Sequence, residues 1–252
     1  MQQDVEYTLW PRINRARFHL LPAFRRCVSQ GKVAAYFDLD GTLLDASSEK
    51  TLTGALLKRR PWRLPITLSM WSLRCIGNLM RGRTWYDSAR NRGHFTLSSW
   101  NEIEKLSEEL VESTLSKKVP QESFDRIDWH KQQGHRIVIV SATISPMAEA
   151  MGRFLGVDAV HACGPEERTG RLSGSEKGWK LPRNKGKIAI VQHDAKENGH
   201  DLSECWGYGN SHADSHFMAI CGNAVAVNAD SRLAKIAERE GWQKQVWKMP
   251  PS

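Results

Sequence analysis

The sequence has few of the features that mark three common classes of protein. Its five cysteines are scattered and form no Cys-x-x-Cys pair, which disfavours a disulfide scaffold or a zinc ribbon and favours free thiols. There is no internal repeat, no low-complexity tract and no basic repeat interleaved with aromatic residues, so nucleic acid is not an expected partner. The first residues are polar and lack the apolar core of a secretory signal, so we expect a cytoplasmic protein.

Long uncharged apolar runs are scarce as well. The most apolar stretch, residues 64–80, contains Arg74 and is short for a transmembrane helix. Its apolar residues, among them Leu73, Ile76 and Met80, recur at helical spacing, and basic residues flank it on both sides. We favour a helix buried in a bundle, with a helix lying on a membrane surface as the alternative.

The overall composition is that of a globular protein with a basic surface. The chain has 252 residues, of which 40% are hydrophobic and 25% charged, so it is long enough for one large domain or a core with an insertion. The formal net charge of +8 favours an anionic partner or substrate. It does not choose between a phosphate ester and an anionic surface.

The order of the patterns predicts an α/β core interrupted by helices. Strands alternate with helices after residue 134, which implies a parallel sheet of Rossmann-like, three-layer α/β/α type. Residues 47–125 show helical periodicity without strand-like alternation, so we predict an inserted helical cap there. The predicted division is a basic N-terminal extension (1–32, with a short amphipathic helix at 13–20), a core (33–46 and 126–252) and the cap (47–125). The predicted elements include strands at 33–37, 136–140, 156–160, 205–209 and 224–227, a hairpin at 169–174, and helices at 48–57, 66–80, 99–115, 146–155, 185–191, 215–220 and 231–239.

Two acids end the first strand. Asp38 and Asp40 follow the apolar run Val33–Phe37, and residues i and i+2 of a strand point to the same side. The carboxyl end of a strand in an open α/β sheet is where ligands bind. Two carboxylates there repel each other unless a cation or a shared proton holds them, so the pair is a candidate reaction centre.

Other predicted strands and helices end in groups of complementary chemistry. Ser141 follows the second strand, with the N–H groups of Ala142 and Thr143 expected at a helix start, and Lys187 opens a later helix. Asn210 follows another strand, with Asp214 four residues on. Carboxylate and amide oxygens suit Mg²⁺, whereas a hydroxyl, free N–H groups and a lysine suit a phosphate.

These motifs resemble those of the haloacid dehalogenase-like (HAD) superfamily, and in particular its subfamily IB phosphatases, which carry a helical cap after the first motif. The resemblance covers residues 33–242. The matching stretches are Asp38-Leu39-Asp40-Gly41-Thr42-Leu43, Val138-Ile139-Val140-Ser141-Ala142, Thr169-Gly170-Arg171-Leu172, Lys187 (with Lys185 as the poorer match), Tyr208-Gly209-Asn210-Ser211 through Asp214, and Ala224 to Asn228.

The resemblance implies a phosphatase that works through an aspartyl phosphate. Asp38 would be the nucleophile, Asp40 the general acid and base, and Lys187 a catalytic cation. The expected cofactor is Mg²⁺, and the expected substrate is a small phosphorylated molecule. The predicted metal ligands are Asp38, Asp40, Asn210 and Asp214, and the predicted substrate-binding residues are Gly41, Thr42, Glu49, Ser141 and Ala142.

One departure from the family pattern concerns the metal. The family usually has Asp where this chain has Asn210, so the site loses one negative charge, and we expect weaker Mg²⁺ binding with help from Asp214. Two alternatives remain open. One is a phosphatase for phospholipid headgroups at a membrane surface, and the other is a HAD-fold binding protein with a weakened metal site.

The predicted cap offers an acid and several basic residues for substrate selection. Glu49 lies near the place where phosphoserine phosphatases of this type hold the substrate amino group, but its register does not assign phosphoserine. The predicted cap has four basic residues of interest, Arg81, Arg83, Arg90 and Arg92, and we expect most of these four to be solvated surface charges.

Overall fold

The computed structural model describes residues 32–248, apart from the side chains of Tyr86 and Asp87, and it contains a six-stranded parallel sheet. The strand order is β3-β2-β1-β4-β5-β6, with β1 in the middle. The chain therefore builds one half of the sheet outward from β1, returns, and builds the other half. The predicted N-terminal helix at 13–20 lies outside the described residues.

The described elements alternate as the sequence predicts after residue 134. The strands are β1 (Ala34–Phe37), β2 (Arg136–Ile144), β3 (Ala159–Cys163), β4 (Trp206–Gly209), β5 (Asn223–Val227) and β6 (Gln243–Gln245). The α-helices are α1 (Ser48–Arg59), α2 (Leu64–Met80), α3 (Trp85–Ala89), α4 (Trp100–Ser113), α5 (Gln121–Gln132), α6 (Ser145–Leu155), α7 (Gly186–Asn198), α8 (Ser215–Met218) and α9 (Ser231–Arg239). Short 3₁₀ helices occupy Pro61–Arg63, Gly93–Phe95 and Leu115–Lys118.

The sheet is buried on both faces, which explains why its inner strands read as continuous apolar runs. In β1, Ala35 and Phe37 belong to a cluster that includes apolar residues of α1, α4, α5 and α6. Ala34 and Tyr36 point the other way, into a cluster with residues of α7, α8 and α9. The result is the three-layer α/β/α core that the sequence predicts.

Several predicted boundaries are wrong. The strand predicted at 156–160 is β3 at Ala159–Cys163, because Gly156 takes a left-handed conformation that ends α6. The hairpin predicted at 169–174 does not form. Instead, the Leu172 N–H donates to the Ser98 carbonyl at 2.8 Å, and the Leu97 N–H donates to the Leu172 carbonyl at 3.1 Å.

Two elements lack a clear signal in the sequence. Helix α5 is mostly polar and carries few apolar residues at helical spacing, so its periodicity is weak. Strand β6 is Gln-Lys-Gln and shows no alternation at all, yet it pairs with β5 at the sheet edge. Polar residues are common at edges because one side of an edge strand remains in contact with solvent.

Helix α2 also differs from its prediction in its environment. It forms at the predicted place, but of its seventeen residues only Thr67 and Cys75 are buried, so it is not the buried bundle helix that we favoured. Within residues 32–248, no helix is both long enough and apolar enough to cross a bilayer.

The helical segment between β1 and β2 packs closely on the sheet. Helix α4 packs on α6, and Ile103 and Leu106 share a cluster with Met147 and Met151. Helix α5 continues across residue 125, where the sequence division placed a boundary. We retain a helical cap as a proposal, with its end moved to the loop before α5.

A buried carboxylate of α7 connects that helix to three strands of the sheet, β1, β2 and β3. Asp194 of α7 accepts hydrogen bonds from Arg136 Nη1 at 2.5 Å, His161 Nε2 at 2.8 Å and the Tyr36 hydroxyl at 3.1 Å. Burial alone would raise the pKa of Asp194, but the hydrogen bonds from His161 and Arg136 outweigh it and hold the pKa at about 2.

We predict that Asp194→Asn lowers the free energy of unfolding by about 3 kcal/mol at neutral pH, because it leaves Arg136 and the Tyr36 hydroxyl poorly paired. The pKa of Asp194 is lowered in the folded state, so its contribution is complete above the unfolded value of about 3.9 and disappears as pH falls toward the folded value. The difference between wild type and variant, measured by urea unfolding, should therefore shrink below about pH 4. Asp128→Asn, at an exposed acid, is the matched control and should change little. A pH-independent difference would contradict this account.

Candidate active site

A cavity of about 680 Å³ opens at the carboxyl ends of β1, β2 and β4. The crossovers of the sheet reverse direction at this point, which leaves a crevice beside the central strand. Eight of the ten sequence-predicted site residues line it, namely Asp38, Asp40, Glu49, Ser141, Ala142, Lys187, Asn210 and Asp214.

Lys187 joins two carboxylates at the floor of this cavity. Its Nζ donates to Asp38 Oδ1 and to Asp214 Oδ1, each at 2.6 Å, and all three side chains are buried. Burial lowers the pKa of Lys187, but the charges of Asp214 and Asp38 outweigh burial and raise that pKa well above its usual value. Lys187 is therefore a permanent cation, and it fixes the orientation of Asp38.

Burial and ion pairing have opposite effects on the pKa of Asp38. Burial and the charge of Asp214 raise its pKa, while Lys187 opposes them. No hydrogen bond from the described residues reaches the second carboxylate oxygen, Oδ2, so that atom is available within the cavity. A carboxylate held at one oxygen and open at the other is suited to act as a nucleophile or a metal ligand.

Asp40 is held by different partners from those of Asp38. The Ser48 N–H at the start of α1 approaches both of its oxygens at 3.1 Å, and Thr143 Oγ1 donates to Oδ2 at 3.3 Å. Burial raises the pKa of Asp40, and the hydrogen bonds from Ser48 and Thr143 partly offset this. The environment thus favours a carboxyl group that can carry a proton.

Ser141 and Ala142 line the cavity, but their backbone differs from its prediction. Strand β2 continues to Ile144 with an irregular register after Val140, and α6 begins only at Ser145. The N–H groups of Ala142 and Thr143 are therefore not at a helix start. The Thr143 N–H donates to Ser141 Oγ at 3.2 Å, which orients that hydroxyl.

Gly41 and Thr42 do not line the cavity. Their N–H groups donate within the turn, to the carbonyls of Leu44 and Leu39 respectively, and Thr42 is fully buried. Gly41 has a φ of +85°, and a Cβ there would lie 2.0 Å from Asn210 Nδ2. The turn and the close approach of the Asn210 side chain therefore both require glycine at position 41. Substrate binding by Gly41 and Thr42 stays a prediction.

The residues present fit a divalent cation through excess negative charge. Asp38 and Asp214 share a single ammonium, that of Lys187, and Asp40 lines the same cavity. Burial makes the ionisation of Asp38 and Asp40 costly without a further cation. Among residues 32–248, no three His, Cys, Asp or Glu side chains converge as a ready ligand set. The ligand groups that remain free to bind a metal are Asp38 Oδ2 and the half-buried side-chain amide of Asn210. So few protein ligands suit Mg²⁺, because that ion keeps several of its waters.

The other predicted metal ligands are already engaged. Both oxygens of Asp214 accept hydrogen bonds, Oδ1 from Lys187 and Oδ2 from the N–H and hydroxyl of Ser211. Both oxygens of Asp40 face Ser48. Direct ligation by the side chains of Asp40 and Asp214 therefore stays a prediction, and the arrangement favours Asp38 and Asn210.

Arg92 is an exception to the prediction that most of the basic residues of the segment are solvated. Only 2% of Arg92 is exposed, its Nη2 donates to the Ala142 carbonyl at 2.7 Å, and the same atom lies 2.8 Å from Glu49 Oε2. Burial raises the pKa of Glu49, and Arg92 counteracts that rise. Arg92 therefore joins the helical segment to β2 and neutralises Glu49 at the cavity wall.

Sequence reasoning missed a second, partly buried ion pair beside it. Arg183 forms two hydrogen bonds to Glu176, at 2.6 and 2.9 Å, and Glu176 Oε1 also lies 3.5 Å from Arg92 Nη1. Both residues of the pair lie in an irregular segment, so no periodicity marks them. Thr143, which supports Asp40, was within reach of the motif argument because it directly follows Ser141-Ala142.

Comparison with known proteins points to one family. The family model for haloacid dehalogenase-like hydrolases matches residues 35–219. A Mycobacterium tuberculosis protein named phosphoserine phosphatase SerB1 is 26% identical over 214 residues, which cover 83% of this chain and 69% of that one.

Solved structures share the fold. A Bordetella pertussis protein of unknown function matches with a TM-score of 0.70 at 25% identity, covering 84% of this chain and 97% of that one. A phosphoserine phosphatase structure with a phospho-aspartyl intermediate analogue matches with a TM-score of 0.58 at 17% identity, covering 86% of this chain and 94% of that one. At that identity the second match speaks for the fold alone.

We predict that Arg92→Met lowers the free energy of unfolding by about 2 kcal/mol, since it leaves Glu49 without its main partner at a largely buried site. Adding Glu49→Gln to this variant should restore part of the loss, because the unpaired charge is then gone. Arg153→Met removes an ion pair with Glu108 that is more than half exposed, and it should cost less than about 1 kcal/mol. Equal losses for Arg92→Met and Arg153→Met in urea unfolding would contradict the buried-pair interpretation.

Proposed function

Because this chain belongs to the haloacid dehalogenase-like hydrolase family, we propose that it is a Mg²⁺-dependent phosphatase that hydrolyses a small phosphomonoester. The observation that carries the proposal is the pair of acids at the end of β1. Asp38 is held at one oxygen by Lys187, and Asp40 is held by Ser48 and Thr143 in the same cavity. Their different environments suit two different roles.

In the first step, an oxygen of Asp38 attacks the phosphorus of the substrate. The bond from phosphorus to the leaving oxygen breaks, and the proton of Asp40 passes to that oxygen, so the alcohol departs neutral. The phosphoryl group is then attached to Asp38 as an aspartyl phosphate. Burial favours the protonated form of Asp40 that this step requires, because it raises the pKa of that carboxyl group.

In the second step, Asp40 accepts a proton from water while the water oxygen attacks the same phosphorus. The bond from phosphorus to Asp38 breaks, and inorganic phosphate is released. Asp38 returns to its carboxylate form and Asp40 to its protonated form. Lys187 and the Ser141 hydroxyl, which line the same cavity, would offset charge on the phosphoryl oxygens during both steps. Mg²⁺ held by Asp38 and Asn210, with Asp214 nearby, would supply further charge neutralisation there.

The substrate proposal is a small phosphomonoester rather than phosphoserine in particular. Relatives include a protein named phosphoserine phosphatase. If phosphoserine were the substrate, an acid of the cap such as Glu49 would have to hold its amino group. Here Glu49 is neutralised by Arg92 at 2.8 Å, so that acid is engaged within the protein. The cavity wall from α1 and residues 89–94 would then select the remainder of the substrate.

We predict that Asp38→Asn lowers turnover of p-nitrophenyl phosphate by about a thousandfold or more, because an amide oxygen is a much poorer nucleophile than a carboxylate. Wild-type turnover should require Mg²⁺ and stop in EDTA, whereas Asp128→Asn should remain active. If the wild type turns over neither this ester nor any member of a phosphorylated-metabolite panel, the binding-protein alternative replaces the enzyme. Full activity in Asp38→Asn would exclude the proposed nucleophile.

We also predict that Asn210→Asp lowers the Mg²⁺ concentration needed for half-maximal activity by about tenfold, because it adds a negative charge beside Asp38. A Mg²⁺ titration of both proteins at fixed substrate concentration measures this. Asn101→Asp makes the same substitution at an exposed residue of α4 outside the cavity, and it should not reproduce the shift. If the Mg²⁺ dependence does not move in Asn210→Asp, Asn210 is not a ligand.

A further inference from the structure

Helix α2 exposes a largely apolar face, which is interrupted by Ser69. Leu73, Ile76, Leu79 and Met80 are exposed by 63%, 54%, 38% and 84%, at positions that lie along one side of a helix. Ile66 and Leu68 extend the same face toward the helix start. Such a face is unusual for a protein surface and marks a contact with a membrane or another macromolecule.

Exposed tryptophans flank α2 along the chain. Trp62 lies two residues before α2 and is 64% exposed, and Trp85 follows the helix after a short loop and is 65% exposed. Tryptophan prefers the boundary between water and lipid, because its ring is apolar and its indole N–H remains able to form hydrogen bonds. The apolar face together with Trp62 and Trp85 is called the α2 face below.

The charged residues of the chain segment that contains α2 are all of one sign. Residues 50–86 contain eight of the chain's 36 Lys and Arg residues and none of its 28 Asp and Glu residues. The rest of the chain carries 28 residues of each sign, so this segment accounts for the formal net charge of +8. Arg59, Arg60 and Arg63 pair with glutamates of α4, whereas Lys58, Arg81 and Arg83 are exposed near the ends of α2.

The positive charge of this segment indicates which kind of partner would bind the α2 face. A second copy docked by the same face would bring two such basic segments together, and their repulsion would oppose association. An anionic lipid surface instead attracts exposed Lys and Arg while it receives apolar side chains. With seventeen residues and one arginine, α2 suits a helix that lies in the interface and does not cross it.

We propose that the α2 face docks the protein on the surface of an anionic lipid bilayer. The opposite side of the helix contributes Trp71 to the wall of the catalytic cavity, and Trp71 Nε1 donates to the Ala89 carbonyl at 2.9 Å. One helix thus separates the cavity from the docked surface. The docking does not depend on the proposed reaction, and either can fail without the other.

Flotation of the full chain with vesicles tests the proposal. Vesicles of phosphatidylcholine with phosphatidylglycerol should carry the protein upward, and vesicles of phosphatidylcholine alone should carry much less. Leu73→Glu should weaken binding by about tenfold or more, because it places a charge in the part of the face that would enter the lipid. Val246→Glu is the matched control at another apolar residue, 68% exposed and outside the α2 face, and it should bind as the wild type does.

A second pair of variants isolates the electrostatic part. Arg81→Glu/Arg83→Glu should weaken binding to the anionic vesicles by about tenfold or more, and added salt should weaken wild-type binding in the same direction. Lys235→Glu/Lys244→Glu makes the same charge change at exposed residues of α9 and β6 and should have a clearly smaller effect. Circular dichroism verifies that each variant is folded.

Two results would overturn the proposal. One is flotation of the folded full chain with anionic vesicles that is absent or no stronger than that of Leu73→Glu. The other is a dimer in sedimentation without vesicles that Leu73→Glu converts to a monomer, combined with no vesicle binding. That second result would assign the α2 face to contact between copies of this chain.

Discussion

The site depends on one buried cation. Lys187, from the first turn of α7, neutralises Asp38 at the end of β1 and Asp214 in the loop after β4, each at 2.6 Å. Without this ammonium the pKa of Asp38 would rise further, because burial and the charge of Asp214 raise it and Lys187 opposes both. The same contact therefore orients Asp38 and holds three elements together at the carboxyl edge of the sheet.

The core and the floor of the cavity were predictable because their physical signals are local. Buried parallel strands read as short apolar runs, and acids directly after such a run, as at Asp38 and Asp40, stand out in the sequence. Arg92 was not predictable in the same way, because its burial depends on the carbonyl of Ala142, fifty residues away. The polar edge strand β6 and the Arg183–Glu176 pair likewise exist only through tertiary contacts.

The exposure of α2 has a similar explanation. Its periodicity predicts a helix, but a pattern of apolar residues does not say whether another part of the protein covers them. The structure resolves this by burying the side that carries Thr67 and Cys75 and leaving Leu73, Ile76 and Met80 exposed. The helical segment thus has two surfaces of different use, one at the cavity wall and one facing outward.

The central position of β1 has a consequence for how the protein is made. β1 leaves the ribosome well before its partners, because Ala34 pairs with Arg136 and Ala35 pairs with Trp206. The strand that precedes Asp38 cannot acquire either neighbour until about a hundred further residues have been synthesised. Such distant pairing slows folding and leaves an apolar strand exposed meanwhile, so nascent chains should depend on chaperones until β4 has emerged.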